Sequence, residues 1–332
     1  MDVLDFLLDF LRAILAASPP ILFAVLGETI TERAGVTNLS LNGSIMLSAM
    51  VGFAATVATG SLVVGFLAAM LVGAIVALTV AFASLTLYLP QVATGFVLTL
   101  LCRDLAYVLG NPYADKPAIL VPHTPIPVLV DIPVIGPILF DQDPIVYLSL
   151  LAIVLVWVYM FKTRPGLVLQ GLGERPAASF ARGANVNLLR SIYTAIGGAL
   201  VGFGGASFSL LVSAGWSRVK GIDGIGWIAL AIVIFGNWQP IRAAFGVYLF
   251  VALQQLAGKV QSVVPLGSTD FLPRLPFALM ILTLLLVTVG NAEWVARLLA
   301  DLPPGPRRVL TRTIQWLQTS PPAALGTLLK KE

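Results

Sequence analysis

The sequence predicts an all-α fold: a polytopic membrane helix bundle of about nine spans, with eight to ten as the range. Three observations predict it. Of 332 residues, 58% are hydrophobic and 11% charged, against about 25% charged in a typical soluble domain. Mean hydropathy is +0.94. No charge occurs between Arg33 and Arg103. This composition excludes an ordinary soluble enzyme, a disordered chain and a fibrous protein. One cysteine, Cys102, excludes a disulfide scaffold. With His123 as the single histidine, no Cys/His metal site is expected.

The elements follow in order. Residues 8–27 form a first span around Pro19-Pro20, which neighbouring groups tolerate in membrane helices. Asp2, Asp5 and Asp9 argue against a signal peptide, which needs a basic start. The uncharged stretch holds three spans, 39–58, 62–88 and 91–109. Gly60-Ser61 divides the first two, and Pro90 divides the next two because it disfavours helix at Leu89. Residues 110–144 carry 8 of the 22 prolines with Asp115, Lys116, Asp131, Asp141 and Asp143, so they form an extramembrane loop. Spans at 145–161 and 191–214 flank the polar segment 162–190. Residues 225–236 are apolar but short, so they cross with help or form a half-helix. Residues 243–258 and 275–291 complete the set. Residues 1–302 thus read as one membrane domain, followed by a basic tail, 303–332.

The loop 162–190 contains Lys162, Arg164, Arg175, Arg182 and Arg190. The positive-inside rule places it in the cytoplasm. Alternating outward puts the N-terminus outside and the C-terminus inside. The formal +4 then divides into about +7 inside and about −3 outside, with Arg103 and Asp104 cancelling within a span. The basicity therefore marks orientation rather than a nucleic-acid partner.

Several segments carry chemistry. Residues 27–38 read as a short cytoplasmic turn with Glu28, Glu32 and Arg33: a solvated turn with a local ion pair, or a gate or subunit contact. Asn38 and Asn42 are four apart and share a helix face with Ser44 nearby. They serve interhelical hydrogen bonding or a solute-lined path. Gln91 and Thr94 have the same two readings. Arg103 reads as snorkelling or paired with Asp104, with a transport role for the two as the alternative. In 172–190, Pro176 suits a helix start and Gly183 a stop, which predicts a short helix over 176–182. Asn237, in Gly236-Asn237-Trp238-Gln239-Pro240, marks a broken helix end, where transporter sites are built. His123 reads as a plain loop residue. There is no P-loop, H-E-x-x-H or G-x-S-x-G, so the chain does not bind ATP in a P-loop and no catalytic residue is expected.

Four segments resemble, in order, the permeases of bacterial ABC importers of the nucleoside, basic-membrane-protein type, which are similar to sugar and branched-chain amino acid permeases. "LGETITERAGVTNLSLNGSIM" (26–46) resembles G-E-x-x-x-E-R-A-G-V-x-N-L-x-x-E-G, with Asn42 where the pattern has Glu. "PQVATG" (90–95) resembles N-Q-V-x-x-G. "GERPAASFARGANVN" (173–187) resembles G-E-x-P-x-A-A-x-x-x-G-I-x-V, and "GIGWIALAIVIFGNWQPIRAAFG" (224–246) resembles G-x-G-[FW]-I-A-L-A-x-V-I-F-G-x-W-x-P. The resemblance implies a bacterial plasma-membrane subunit that pairs with a second permease. A cytoplasmic ATPase would carry ATP and Mg, and an external lipoprotein would deliver a nucleoside or related purine or flavin. It implies a coupling helix formed by Gly173, Glu174, Arg175, Pro176, Ala177, Ala178 and Gly183, and a path past Asn42 and Ser44. The alternative, a secondary transporter or channel, needs intramembrane ionisable groups, for which Arg103 and Asp104 qualify.

Overall fold

The computed structural model describes residues 3–263, except 115, 118, 214 and 217–220, together with 278, 281, 285 and 320–327. Among the described residues the regular elements are helices. They are α1 (Val3–Ala17), α2 (Pro19–Arg33), α3 (Leu41–Thr59), α4 (Leu62–Leu85), α5 (Gln91–Gly110), α6 (Pro144–Lys162), α7 (Arg164–Glu174), α8 (Pro176–Ala181), α9 (Val186–Ser207), α10 (Ile225–Phe235) and α11 (Pro240–Val263). Prolines and short polar residues set many of the boundaries. Pro19 and Pro20 open α2, after a 47° bend from α1. Gly60, at φ +71°, ends α3. Thr163 caps α7 by accepting from the Gly166 amide at 3.1 Å, and Asn185 caps α9 by accepting from Leu188 N at 3.3 Å.

Among the described residues, six helices are long and apolar enough to cross a membrane, or seven when the bent α1–α2 pair is taken as one span. The expected count of about nine differs for two reasons. α10 has 11 residues, about 16 Å of helix, or half the hydrocarbon thickness of about 30 Å. The expected span at 275–291 lies outside the described residues, apart from positions 278, 281 and 285. The segment holding α10 still connects the two ends of the bundle. Leu210 accepts from Val121 N of the proline-rich loop at 3.1 Å, whereas Asn237 lies beside Arg33 at the opposite end.

α2 also departs from expectation. It continues to Arg33, so the anticipated solvated turn at 27–38 is largely helix. Glu28 and Glu32 are buried in it. α9 sits at the centre, packed on α2, α3 and α4. Backbones come together at Gly27 with Gly197 and at Gly73 with Gly198 and Gly202, where a Cβ would collide with facing carbonyls. Small residues allow this approach where lipid offers no hydrophobic drive between helices.

The loop between α5 and α6 is anchored by charge. His123 Nδ1 lies 2.9 Å from Asp143 Oδ1, and Nε2 lies 2.7 Å from Asp141 Oδ1. Asp141 also meets Arg12 Nη2 of α1 at 2.8 Å. His123 is thus a clamp rather than a plain loop residue. Hydrogen bonds donated by the ring to Asp141 and then to Asp143 raise its pKa. A raised pKa stabilises the fold fully below the unfolded value of about 6.5 and loses that contribution as pH rises through the folded value. The difference in melting temperature between wild type and His123→Gln should therefore shrink from about pH 6 to about pH 9. A difference that is constant or grows contradicts the clamp.

Candidate functional site

The residues singled out from sequence gather around the end of α2 and the two ends of α10. At the first end, Arg33 holds three segments. Its Nε donates to Trp238 O at 3.1 Å and its Nη2 to Asn237 O at 3.2 Å. Its Nη1 meets Glu174 Oε1 of α7 at 3.4 Å. Trp238 Nε1 donates to Glu32 Oε2. Asn237 and Trp238 both have φ +52°, a left-handed conformation that L side chains adopt at a cost of about 1–3 kcal/mol each. Their carbonyls lie in the turn between α10 and α11, where Arg33 donates to both. Glu28 accepts from Asn38 N at 3.3 Å, while its second oxygen is buried without a partner.

The other end of α10 is held by Asn42. Its Oδ1 accepts from Gly224 N at 2.9 Å and Gly226 N at 3.2 Å. Its Nδ2 donates to Asp223 Oδ1 at 2.8 Å. A side chain of α3 thus caps the half-helix from outside. Asn38 Oδ1 accepts from Ser40 N at 3.2 Å and Ser40 Oγ at 2.5 Å. Ser44 Oγ lies 3.2 Å from Ser40 Oγ. Gln91 Oε1 accepts from Thr37 N at 2.7 Å, and Gln91 Nε2 is buried without a partner. Thr94 bonds back to Pro90 O at 3.1 Å. Asn38, Asn42, Ser44 and Gln91 are all buried, and their bonds join the α2–α3 connection to α5 and α10.

The loop 162–190 forms two helices rather than one. α7 ends at Glu174 and α8 follows directly. Gly173 packs against the Arg33 carbonyl, with no room for a side chain. Arg175 is the N-cap of α8, which carries Pro176, Ala177 and Ala178, and Gly183 follows at φ +87°. No residue of α8 is buried. Phe180, which the pattern did not single out, is 51% exposed there.

Sequence reading also missed residues 320–327. Ala324 N donates to Gly173 O at 2.7 Å and Gly326 N to Gly35 O at 3.1 Å. Ala323 N donates to Glu174 Oε2 at 3.2 Å, and Ser320 N to Asn237 Oδ1 at 3.0 Å. Arg190 of α9 is fully buried. Its Nη1 donates to Thr327 O at 2.8 Å and its Nη2 to Leu172 O at 2.9 Å. Among the described residues, no group of three or more His, Cys, Asp or Glu is arranged to hold a metal ion. Deleting 320–332 removes a charge-assisted bond from Arg190 and should cost about 2 kcal/mol. Thermal unfolding in detergent reads this directly. An unchanged melting temperature contradicts a bracing role for the segment.

The family described as branched-chain amino acid transport system / permease component matches residues 10–289. The putative glucose ABC transporter permease protein TsgC13 of Haloferax volcanii is 35% identical over 78% of this chain and 80% of its own length. The guanosine ABC transporter permease protein NupQ of Bacillus subtilis is 31% identical over 88% of this chain and 96% of its own. The nucleoside ABC transporter permease protein NupC of Lactococcus lactis is 32% identical over 86% and 94%. No solved structure matches the chain. Helices long and apolar enough to span a membrane and the match over most of the chain agree: the protein belongs to the branched-chain amino acid transport system permease family and is a membrane permease subunit of an ABC importer.

Proposed function

We propose that the solute is a nucleoside, and that this subunit pairs with a second, related permease to enclose its path. A cytoplasmic ABC ATPase, holding ATP and Mg, drives the cycle, and an extracytoplasmic solute-binding lipoprotein delivers the solute. The relatives named for guanosine and nucleosides cover nearly their whole length, which supports the solute class. The path runs along the seam of α3, α5 and α10, bordered by Asn38, Asn42, Ser44, Gln91, Thr94 and Asn237. Glu28, Glu32 and Arg33 form its inner gate. The chain sits in the bacterial plasma membrane with its N-terminus outside and C-terminus inside, as the basic 162–190 segment supports.

One observation carries the coupling assignment. α8 buries none of its residues, yet follows directly on Glu174, which holds Arg33. A short exposed helix gains no stability from its own sequence. Ala178 and Phe180 face outward and suit a groove on the ATPase, with Phe180 as the aromatic anchor.

Proteoliposomes containing the four components should take up guanosine only with ATP. Uptake of glucose in its place overturns the solute class. Flux through this chain without the ATPase overturns the importer reading and favours a secondary transporter. Ala178→Asp or Phe180→Asp should weaken ATPase docking by about 30-fold, as loss of an interface hot spot does. Undiminished ATPase docking and uptake contradict the assignment of α8.

A further inference from the structure

One polar group remains outside the coupling and gating contacts. Arg103 and Asp104 lie on α5, with Arg103 Nε 3.3 Å from Asp104 Oδ1. Arg103 Nη1 lies 4.0 Å from Asp223 Oδ2, across the seam, just before α10. Asp223 in turn accepts from Asn42. The side chains of Arg103, Asp104 and Asp223 are 38%, 65% and 45% exposed. α5 is one of the membrane-crossing helices, and exposed charge within a span belongs against water or protein, not acyl chains. Arg103 has the reach to snorkel toward an interface. The carboxylate of Asp104 does not, because its side chain is short. Asp104 stands six residues before the end of α5 at Gly110, about 9 Å along the helix.

The same seam carries an aromatic pair. Phe96 of α5 and Trp227 of α10 have ring centroids 6.2 Å apart at 43°, and both rings are substantially exposed. Phe96 precedes Arg103 by two helical turns, so both lie on one face of α5, about 10 Å apart. One seam thus presents flat apolar surface at one end and two carboxylates with a guanidinium at the other. That order matches a molecule with a flat heterocycle joined to a polyhydroxylated ring.

We infer that Phe96, Trp227, Arg103, Asp104 and Asp223 form the solute-contacting site of the path, built for a ribonucleoside. The base stacks on Trp227 and Phe96. The ribose hydroxyls donate to Asp104 and Asp223, the charge-assisted kind of hydrogen bond. Arg103 holds the two carboxylates in place. This inference rests on the nucleoside reading above and assigns its site. Glucose would engage the carboxylates but leave the aromatic end unfilled.

The test uses the complete transporter in proteoliposomes, with tritiated guanosine as probe at saturating loaded binding protein. Asp104→Asn, Asp223→Asn and Trp227→Ala should each lower the uptake rate at least about tenfold, the loss expected for a charge-assisted bond or a stacking contact. Leu109→Ala, exposed on α5 but off the face that carries Phe96, Arg103 and Asp104, should leave it unchanged. A second readout does not depend on turnover. In a Cys102→Ser background, Asp104→Cys should react with a charged, membrane-impermeant methanethiosulfonate, and guanosine should slow the reaction. Wild-type uptake of glucose without guanosine refutes the nucleoside reading itself. Guanosine uptake in wild type with undiminished rates in the variants refutes this site alone. An Asp104→Cys thiol inert to the reagent, or labelled equally with and without guanosine, also refutes it.

Discussion

A single guanidinium ties three segments of this protein together where α2 ends. Arg33 ends α2, donates to the two carbonyls in the turn between α10 and α11, and meets the carboxylate that ends α7. Each contact answers a physical need. The carbonyls of Asn237 and Trp238 belong to left-handed residues in a tight turn, and buried backbone carbonyls need donors. Arg33 is itself largely buried, with 12% of its side chain exposed, and a buried charge demands partners. Glu174 then ties that charge to the start of α8. Three segments that different parts of the chain supply are thereby fixed to one another.

The arrangement gives a mechanical meaning to the shortness of α10. α10 is a short rod held at both ends by side chains from other helices. Asn42 holds its N-terminal end through two amides, and Arg33 holds its C-terminal end. A displacement of α7 and α8 reaches α10 through the Glu174–Arg33 contact, and α10 borders the proposed path. Residues 320–327 add a second tie, since they bond to Gly35, Gly173, Glu174 and Asn237 together. In the proposed coupling scheme, these contiguous contacts would carry the work of ATP hydrolysis to the path.

Much of this was legible in the sequence, and the reasons it stopped are physical. The short helix at 176–182 was readable because Pro176 and Gly183 act locally, and α8 occupies Pro176–Ala181. The broken end at Asn237 was marked by its own neighbours. The extent of α2 was not readable, because Glu28 and Glu32 resemble a solvated turn until Trp238 and Asn38 arrive to bond them. The Asn42–Asp223 contact joins residues 181 positions apart, and the Arg190–Thr327 contact joins residues 137 apart. Local propensity and charge counting carry no record of such pairings. The brace at 320–327 is a backbone feature, and backbone hydrogen bonds leave no residue signature.

In the proposed coupling scheme Arg33 transmits work between α7–α8 and the path. The number of ATP molecules hydrolysed per guanosine imported by the reconstituted transporter, for wild type and Arg33→Ala, measures this directly. The variant should still hydrolyse ATP but import less, so the ratio rises. An unchanged ratio, with both rates intact or falling together, would contradict it.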